Sequence, residues 1–323
     1  IDGIGIEYEL HGPEGAQPVA LTPGGRFHMD TPGIRDLALK LAEGGRRVLI
    51  YDRPNCGKSD AFIGGLSESE NQADALAGLI RHLERTLLHR AVHTTTTSHA
   101  LADALHARYG GRRPHVIGNA FPLQPDPRSG PPDTPPAFFW FSQTIGPGRG
   151  LEHFFAAWKL TRRPSRVVLL GDIHGGYAQN LLDRLPADRR TLVSFLPLVS
   201  PSALPAVIAR HDIGLALEQA FIVNRDLTVT NKIIQYLNAG LAVVASDTAG
   251  QREVLAHSPE AGVIVETHET ARFAAALDAL LSDHGALRHR QQAARRLAEQ
   301  TYCWEHEAPR LSALVADALA SPG

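Results

Sequence analysis

Between Ser142 and Glu152 the chain reads SQTIGPGRGLE. Gly146, Gly148 and Gly150 let backbone N–H groups approach an anion, the helix expected to follow adds positive potential at its start, and Arg149 adds a full charge. The run fits a diphosphate cradle; it fits a tight glycine turn ahead of a helix equally well. Its spacing is not G-x-G-x-x-G, so it is no dinucleotide fingerprint. A second run, Thr228 to Gly240, reads TVTNKIIQYLNAG. Asn231 is a good N-cap, and its helix start would face the same edge as the first. Lys232 sits in the first turn, which is unfavourable for the helix itself and points to an anion beside it; a solvated lysine is the alternative.

Other patterns lead nowhere. Cys56-Gly57-Lys58-Ser59 looks like the end of a Walker loop, but its first glycine would be Asp52, and no phosphate cradle forms without it. Gly171-Asp172-Ile173-His174-Gly175 matches the opening metal motif of metallophosphatases, yet the companion carboxylate, Asn and His segments are absent, and Gly118-Asn119 leads to Ala120. The 16 histidines include no HExxH and no Cys/His cluster, so they read as surface or satisfied core residues and no metal is expected.

The glycine and lysine runs need a sheet edge to hold them. From Phe138 onward, continuous apolar strands alternate with amphipathic helices. The strands are 138–142, 166–171, 192–196, 213–218, 241–247 and 262–266; the helices are 151–160, 177–185, 202–210, 231–239, 250–257 and 269–282. That pattern predicts a parallel sheet covered on both faces, with chemistry in the loops after Ser142, Gly171, Leu196 and Glu218 at the carboxyl ends of the strands. Two further helices, 285–301 and 305–320, close the chain. Upstream, strands are expected at 4–9, 19–22, 48–51, 90–97 and 115–117, with helices at 34–43, 69–83 and from a Ser98 cap to Tyr109. The strand at 90–97 can pair with 48–51 in a small sheet.

Composition narrows the partners. With 43% hydrophobic and 20% charged residues the chain is globular rather than disordered. Lys plus Arg is 32 against 34 for Asp plus Glu, so no global charge favours nucleic acid or an anionic membrane. No apolar run reaches the ~20 residues of a membrane helix. Cys56 and Cys303 form no disulfide framework, which points to a reducing, cytoplasmic setting. The chain starts at Ile1 without a signal segment, so a native start upstream is expected.

The segments HTTTTSHALADAL (93–105), VIGNA (116–120), WFSQTIGPGRGLE (140–152), LPAVIARHDIGLALE (204–218), NKIIQYLNAGLAVVASDTAGQREV (231–254) and Trp304-Glu305 together resemble the donor-binding half of a GT-B glycosyltransferase of the retaining group 1, family 4-like kind, over about 235 residues. The resemblance implies an α/β fold with a Rossmann-like donor domain, and hexosyl transfer from a nucleotide sugar to an acceptor the sequence does not name. The sugar nucleotide would be a substrate, with no separate cofactor. It places Arg149 where a basic residue binds the donor diphosphate and Gln235 where a Glu holds the ribose. Thr248, Gly250 and Gln251 fall in the loop below the donor, and Glu218 at the end of the strand leading into the site. Arg149, Lys232 and Glu218 are thus the candidate catalytic residues; Gly146, Gly148, Gly150, Asn231, Gln235, Thr248, Gly250 and Gln251 are the candidate donor-binding set. Three positions depart from the pattern. Thr144 stands where an Arg is expected, and the paired glutamates are missing, with Leu227 and Gln235 in their places.

Residues 1–83 resemble the start of an α/β-hydrolase. Thr22-Pro23-Gly24-Gly25 looks like its oxyanion loop, YDRPNCGKSD (51–60) like its DxPGxGxSD turn, and SESENQADALAGLIRHL (67–83) like the helix before its nucleophile strand. TPGG…LALKLAEGGRRVLIYD also fits, loosely, the start of a GT-B acceptor domain. The expected organisation is an incomplete α/β segment at 1–120, hydrolase-like to 83 and GT-B-like from 84. A Pro-rich linker follows at 121–136, then a nucleotide-sugar-binding domain at 137–285 and closing helices at 286–323. No G-x-S-x-G occurs, and oxyanion donors cannot replace an activated nucleophile. A fluorophosphonate probe should therefore leave the native protein unlabelled; stoichiometric labelling of a serine would refute this.

Overall fold

The structure is a computed structural model and describes residues 6–21, 28–31, 33–52, 91–125 and 135–320. The Gly24-Gly25 loop, the 53–60 turn, the 67–83 helix and most of the Pro-rich linker lie outside them. Chain contacts divide into two units. One comprises Ile1–Thr95, Leu105–His115 and Leu314–Gly323, the other Thr96–Ala104 and Val116–Ala313.

The larger unit carries the six-stranded sheet that the apolar runs predict. In chain order the strands are β6 (Ala137–Ile145), β7 (Arg166–Ile173), β8 (Val193–Leu196), β9 (Ile213–Ala216), β10 (Ala242–Ser246) and β11 (Gly262–Val265), with β1–β5 upstream. Every pairing is parallel, and the spatial order is β11-β10-β9-β6-β7-β8. The chain winds outward from β6 to β8, then returns to the other side of β6 and winds to β11. The order therefore reverses between β6 and β9, where the carboxyl ends of a doubly wound sheet leave a crevice.

Alternation along β6 sorts its aromatic side chains to the two faces. Phe138 and Trp140 pack under α3 (Leu151–Trp158) and α10 (Thr270–Leu280), against Phe154, Phe155, Trp158 and Phe273. Phe139 and Phe141 pack under α8 (Asn231–Asn238) and α11 (His284–Gln300), against Ile233, Ile234, Tyr236 and Leu297. Each such side chain contributes roughly 1.5–3 kcal/mol by leaving water. The polar atoms among them are paired. Trp158 Nε1 donates to Ser165 Oγ at 2.9 Å, and Asp212 Oδ2 accepts from the Ala137 N–H at 2.8 Å.

The remaining helices of this unit are short or fall close to the expected bounds. They are α4 (Tyr177–Asp183), α5 (Ala187–Arg190), α6 (Leu204–Ile208), α7 (Val223–Leu227) and α9 (Ala249–Ala256). The sequence pattern did not give α5 or α7, because four or five residues are too few to show a helical period.

In the smaller unit, β1 (Tyr8–His11), β2 (Pro18–Leu21) and β3 (Arg47–Tyr51) form a sheet of order β1-β3-β2, with β1 antiparallel and β2 parallel to β3. Val48 and Ile50 bury against Ala38 of α1 (Ile34–Glu43) and against Met29. Asp52 is buried and accepts the Met29 N–H at 2.7 Å. Two expectations need correction. The first strand is Tyr8–His11 and not 4–9, its register set by Tyr8 lying opposite Tyr51. The strand at 90–97 shrinks to β4 (Thr95–Thr96), which pairs with β5 (His115–Val116) and not with 48–51, because β1 and β2 already flank β3. As predicted, Ser98 caps α2 (His99–Tyr109): its Oγ accepts the Leu101 N–H at 3.1 Å.

The centre of the larger sheet admits no extra volume. A Cβ on Gly214 of β9 would lie 2.2 Å from the Tyr236 ring. Gly214→Ala should cost about 1–3 kcal/mol through overpacking. Gly176→Ala, where a Cβ meets nothing within 4 Å, should change little. Thermal unfolding of both variants checks this, and equal midpoints would contradict the packing described.

Candidate functional site at the strand-order reversal

The loop from β6 to α3 is Gly146-Pro147-Gly148-Arg149-Gly150. Gly148 and Gly150 hold φ of +70° and +77°, a region that side chains with a Cβ disfavour. Gly150 also presses on the end of β9, where a Cβ would lie 2.6 Å from the Leu217 carbonyl and 2.7 Å from Gln219 Nε2. Gly150 is the N-cap of α3 and no side chain caps that helix start, so its first N–H groups are available to an anion. Gly146 is buried at the head of the loop.

Across the crevice, Glu218 follows β9 and pairs with Lys232 of α8, Nζ to Oε1 at 2.7 Å. Side-chain exposures of 17% for Lys232 and 11% for Glu218 make this pair largely screened from water yet open on one side. The Lys232 ammonium also stands 5.8 Å from the centre of the Trp140 ring. Burial alone would raise the Glu218 pKa. The charge and hydrogen bond of Lys232 outweigh it, Arg225 and Arg149 add to them, and the carboxyl is held below its ordinary range. Lys232 is thus neither solvated nor waiting for a counter-ion: Glu218, fourteen residues upstream, supplies one.

Asn231 is not the cap of α8. Thr230 holds the extended N-cap conformation, φ −89° and ψ 152°, and makes no side-chain capping bond, so Asn231 is the first helical residue and is exposed. Gln235 lies one turn beyond Lys232, half-buried on the same helix face.

Behind Glu218 runs a buried polar chain. Gln251 Nε2 donates to Ser246 Oγ at 2.8 Å, and Ser246 Oγ donates to the Glu218 carbonyl at 2.6 Å. Thr248 caps α9 by accepting the Gln251 N–H at 3.3 Å, and Asp226 Oδ1 accepts the Ala249 N–H at 3.0 Å. Gly250 packs on the chain before α8, where a Cβ would meet the Thr228 carbonyl at 2.3 Å. Gln251 is therefore a buried support of the β9 end. The sequence reading missed Arg225, Ser246 and Asp226. Arg225 and Asp226 lie on a helix too short to read, and Ser246 looks like an ordinary strand residue. Among the described residues no group of three His, Cys, Asp or Glu could hold a metal ion, and no helix is long and apolar enough to cross a membrane.

A parallel sheet wound both ways from β6, with a crevice at its strand-order reversal, defines the doubly wound α/β class. The comparisons agree. Residues 135–283 match the family model described as glycosyl transferases group 1. No curated protein matches the sequence significantly. Among solved structures, the chain is similar to sucrose-phosphate synthase from Thermosynechococcus elongatus, at 16% identity and TM-score 0.60, covering 79% of this chain and 64% of that one. It is similar to HepE from Anabaena in complex with UDP, at 17% identity and TM-score 0.60, covering 78% and 68%. It is also similar to a TarM variant from S. aureus in complex with fondaparinux, α-GlcNAc-glycerol and UDP, at 10% identity and TM-score 0.59, covering 80% and 49%. The chain thus spans about two thirds of the synthase and about half of TarM. At these identities the likeness is one of fold, the Rossmann-like α/β architecture of GT-B glycosyltransferases. The hydrolase resemblance of residues 1–83 finds no counterpart among these matches.

The ion pair predicts a pH dependence. A carboxyl with a lowered folded pKa stabilises the fold fully above its ordinary value of 4.5, and that contribution is lost as pH falls through the folded pKa. Glu218→Gln should therefore cost on the order of 1–3 kcal/mol at pH 6, shrinking toward zero in acid. Urea unfolding of both proteins from pH 6 to 3 checks it; a difference that stays constant across that range would contradict it.

Proposed function

We propose that the larger unit binds a nucleotide-sugar donor by its diphosphate at the reversal of strand order, and that the chain takes part in retaining glycosyl transfer of a hexosyl-like group. The observation that carries this reading is the Lys232–Glu218 pair at the end of β9, where Gly150 of the β6–α3 glycine loop packs on Leu217. The group 1 match over residues 135–283 and the UDP, UDP-plus-glucose and UDP-glucose complexes of HepE support it.

Breaking the bond between the anomeric carbon and the diphosphate oxygen leaves negative charge on the diphosphate. Arg149, Lys232 and the N–H groups at the start of α3 would stabilise that charge as it develops, inside a crevice that water reaches from one side. Glu218 is ionised at neutral pH and so has no proton to donate. Its role is to hold Lys232 at the loop mouth until the donor arrives. Gln235, Thr248 and Gly250 would flank the donor, and Gln235 can offer a neutral amide to a ribose hydroxyl.

Calorimetric titration with UDP, GDP and dTDP tests the reading. At least one should bind, and Arg149→Ala should weaken it by about 1.5–3 kcal/mol, the contribution of a charge-assisted contact. No heat with any of the three, or equal affinity in the variant, would overturn it.

A further inference from the structure

Arg225 lies on α7, in the connection between β9 and α8. Its Nη1 donates to the Gly148 carbonyl at 3.0 Å, between the two left-handed glycines of the β6–α3 loop. The neighbouring residue, Asp226, ties the same short helix to the start of α9 through the Ala249 N–H. The two residues pin α7 on both sides, and the guanidinium is held at the loop mouth.

A guanidinium has five N–H donors in a planar fork, suited to two oxygens of a phosphate at once. One donor of Arg225 is spent on Gly148. Among the described residues its bonded partner is that neutral carbonyl, which leaves its charge unanswered by the bond itself. Clasping a loop carbonyl needs only a donor, and an amide would serve. A full positive charge at this place has a further use, because the same loop presents the open start of α3. Glu218 feels Arg225 as well as Lys232 and Arg149, so the guanidinium and the ion pair share one electrostatic neighbourhood.

We propose that Arg225 is a diphosphate-binding residue of this site, set in place by its bond to Gly148; the inference rests on the donor site proposed above. It makes the β9–α8 connection a wall of the anion site and adds a cation from that connection, beside the loop that carries Arg149.

Calorimetry with inorganic pyrophosphate and with UDP, GDP and dTDP tests it on the full chain. The proteins compared are the wild type, Arg225→Gln, Arg225→Lys, Glu218→Gln and the double variant Glu218→Gln with Arg225→Gln, each checked to be folded at the titration temperature. Arg225→Gln keeps a donor for Gly148 and removes the charge, so it should weaken the nucleotide that binds by about tenfold or more. Arg225→Lys should lose less, since the charge remains. The loss should persist when Glu218 is Gln. An affinity unchanged in Arg225→Gln overturns the inference. So does a loss that disappears in the Glu218→Gln background, which would make Arg225 only a counter-ion of Glu218. If Arg149→Ala weakens binding while Arg225→Gln does not, this inference alone fails. If the wild type binds none of the nucleotides, the donor-site reading fails and this one with it.

Discussion

Gly150 has room for a hydrogen and nothing larger. It sits in a left-handed turn with the Leu217 carbonyl where its side chain would be. That contact joins the two halves of the doubly wound sheet at their carboxyl edge, because Gly150 opens α3 from the β6 side and Leu217 closes β9 from the other. With β6 and β9 adjacent, the residue after Leu217 is Glu218, and the residue before Gly150 is Arg149. A side chain at 150 would push the loop off the strand end and widen the crevice. Position 150 therefore sets the distance between opposite charges as well as a turn.

The charges placed there are expensive. An ion pair taken mostly out of water has to recover its desolvation through geometry and further hydrogen bonds. The chain supports Glu218 from behind, with Ser246 bonded to its carbonyl and Gln251 bonded to Ser246. These residues fix the backbone at the β9 end, where the carboxylate meets Lys232 at 2.7 Å. A hydrophobic pair of similar volume would serve stability as well or better. A carboxylate and an ammonium kept at the carboxyl end of the sheet fit the anion site proposed above.

The larger sheet was legible because its inner strands β6, β7, β9 and β10 are buried on both faces over most of their length and so read as apolar runs, while the edge strands β8 and β11 are only partly buried. All six strands occur where the runs lie, with ends shifted by up to three residues, as for β6, which continues to Ile145. Helix faces were legible for the same reason, since Ile233, Ile234 and Leu237 repeat at helical spacing. What local pattern cannot hold is contact between distant residues. Nothing in the sequence near Lys232 announces Glu218, because their meeting depends on β9 lying beside β6 and on α8 returning over the sheet. The cap of α8 shows a smaller limit. Asn231 is the better capping side chain, but the chain turns helical one residue earlier, after an extended Thr230. In the smaller unit the buried run of β3 marked its place in the sequence, whereas β1 is half-exposed and β4 and β5 are two residues long, too short for period or apolar run to mark their ends.

Three residues set this chain apart from the pattern it resembles: Thr144 removes a base, and Leu227 and Gln235 remove acids. Thr144, where a basic residue is expected, lies near the end of β6 and pairs with Asp172 in the ladder with β7. It contributes backbone to the sheet and no cation to the loop. Gln235, where an acid is expected, lies one turn from Lys232. An acid there would give Lys232 a second carboxylate besides Glu218, and two acids on one ammonium would compete with any incoming anion. The amide removes that competition and Leu227 removes the other acid, so against the one base lost at Thr144 the changes leave the pattern one charge more positive. Binding an anion depends on that balance more than on the identity of any one cation. Glu218 shares its surroundings with Lys232, Arg225 and Arg149, and a second acid at position 235, one turn from Lys232, would shift that balance toward negative.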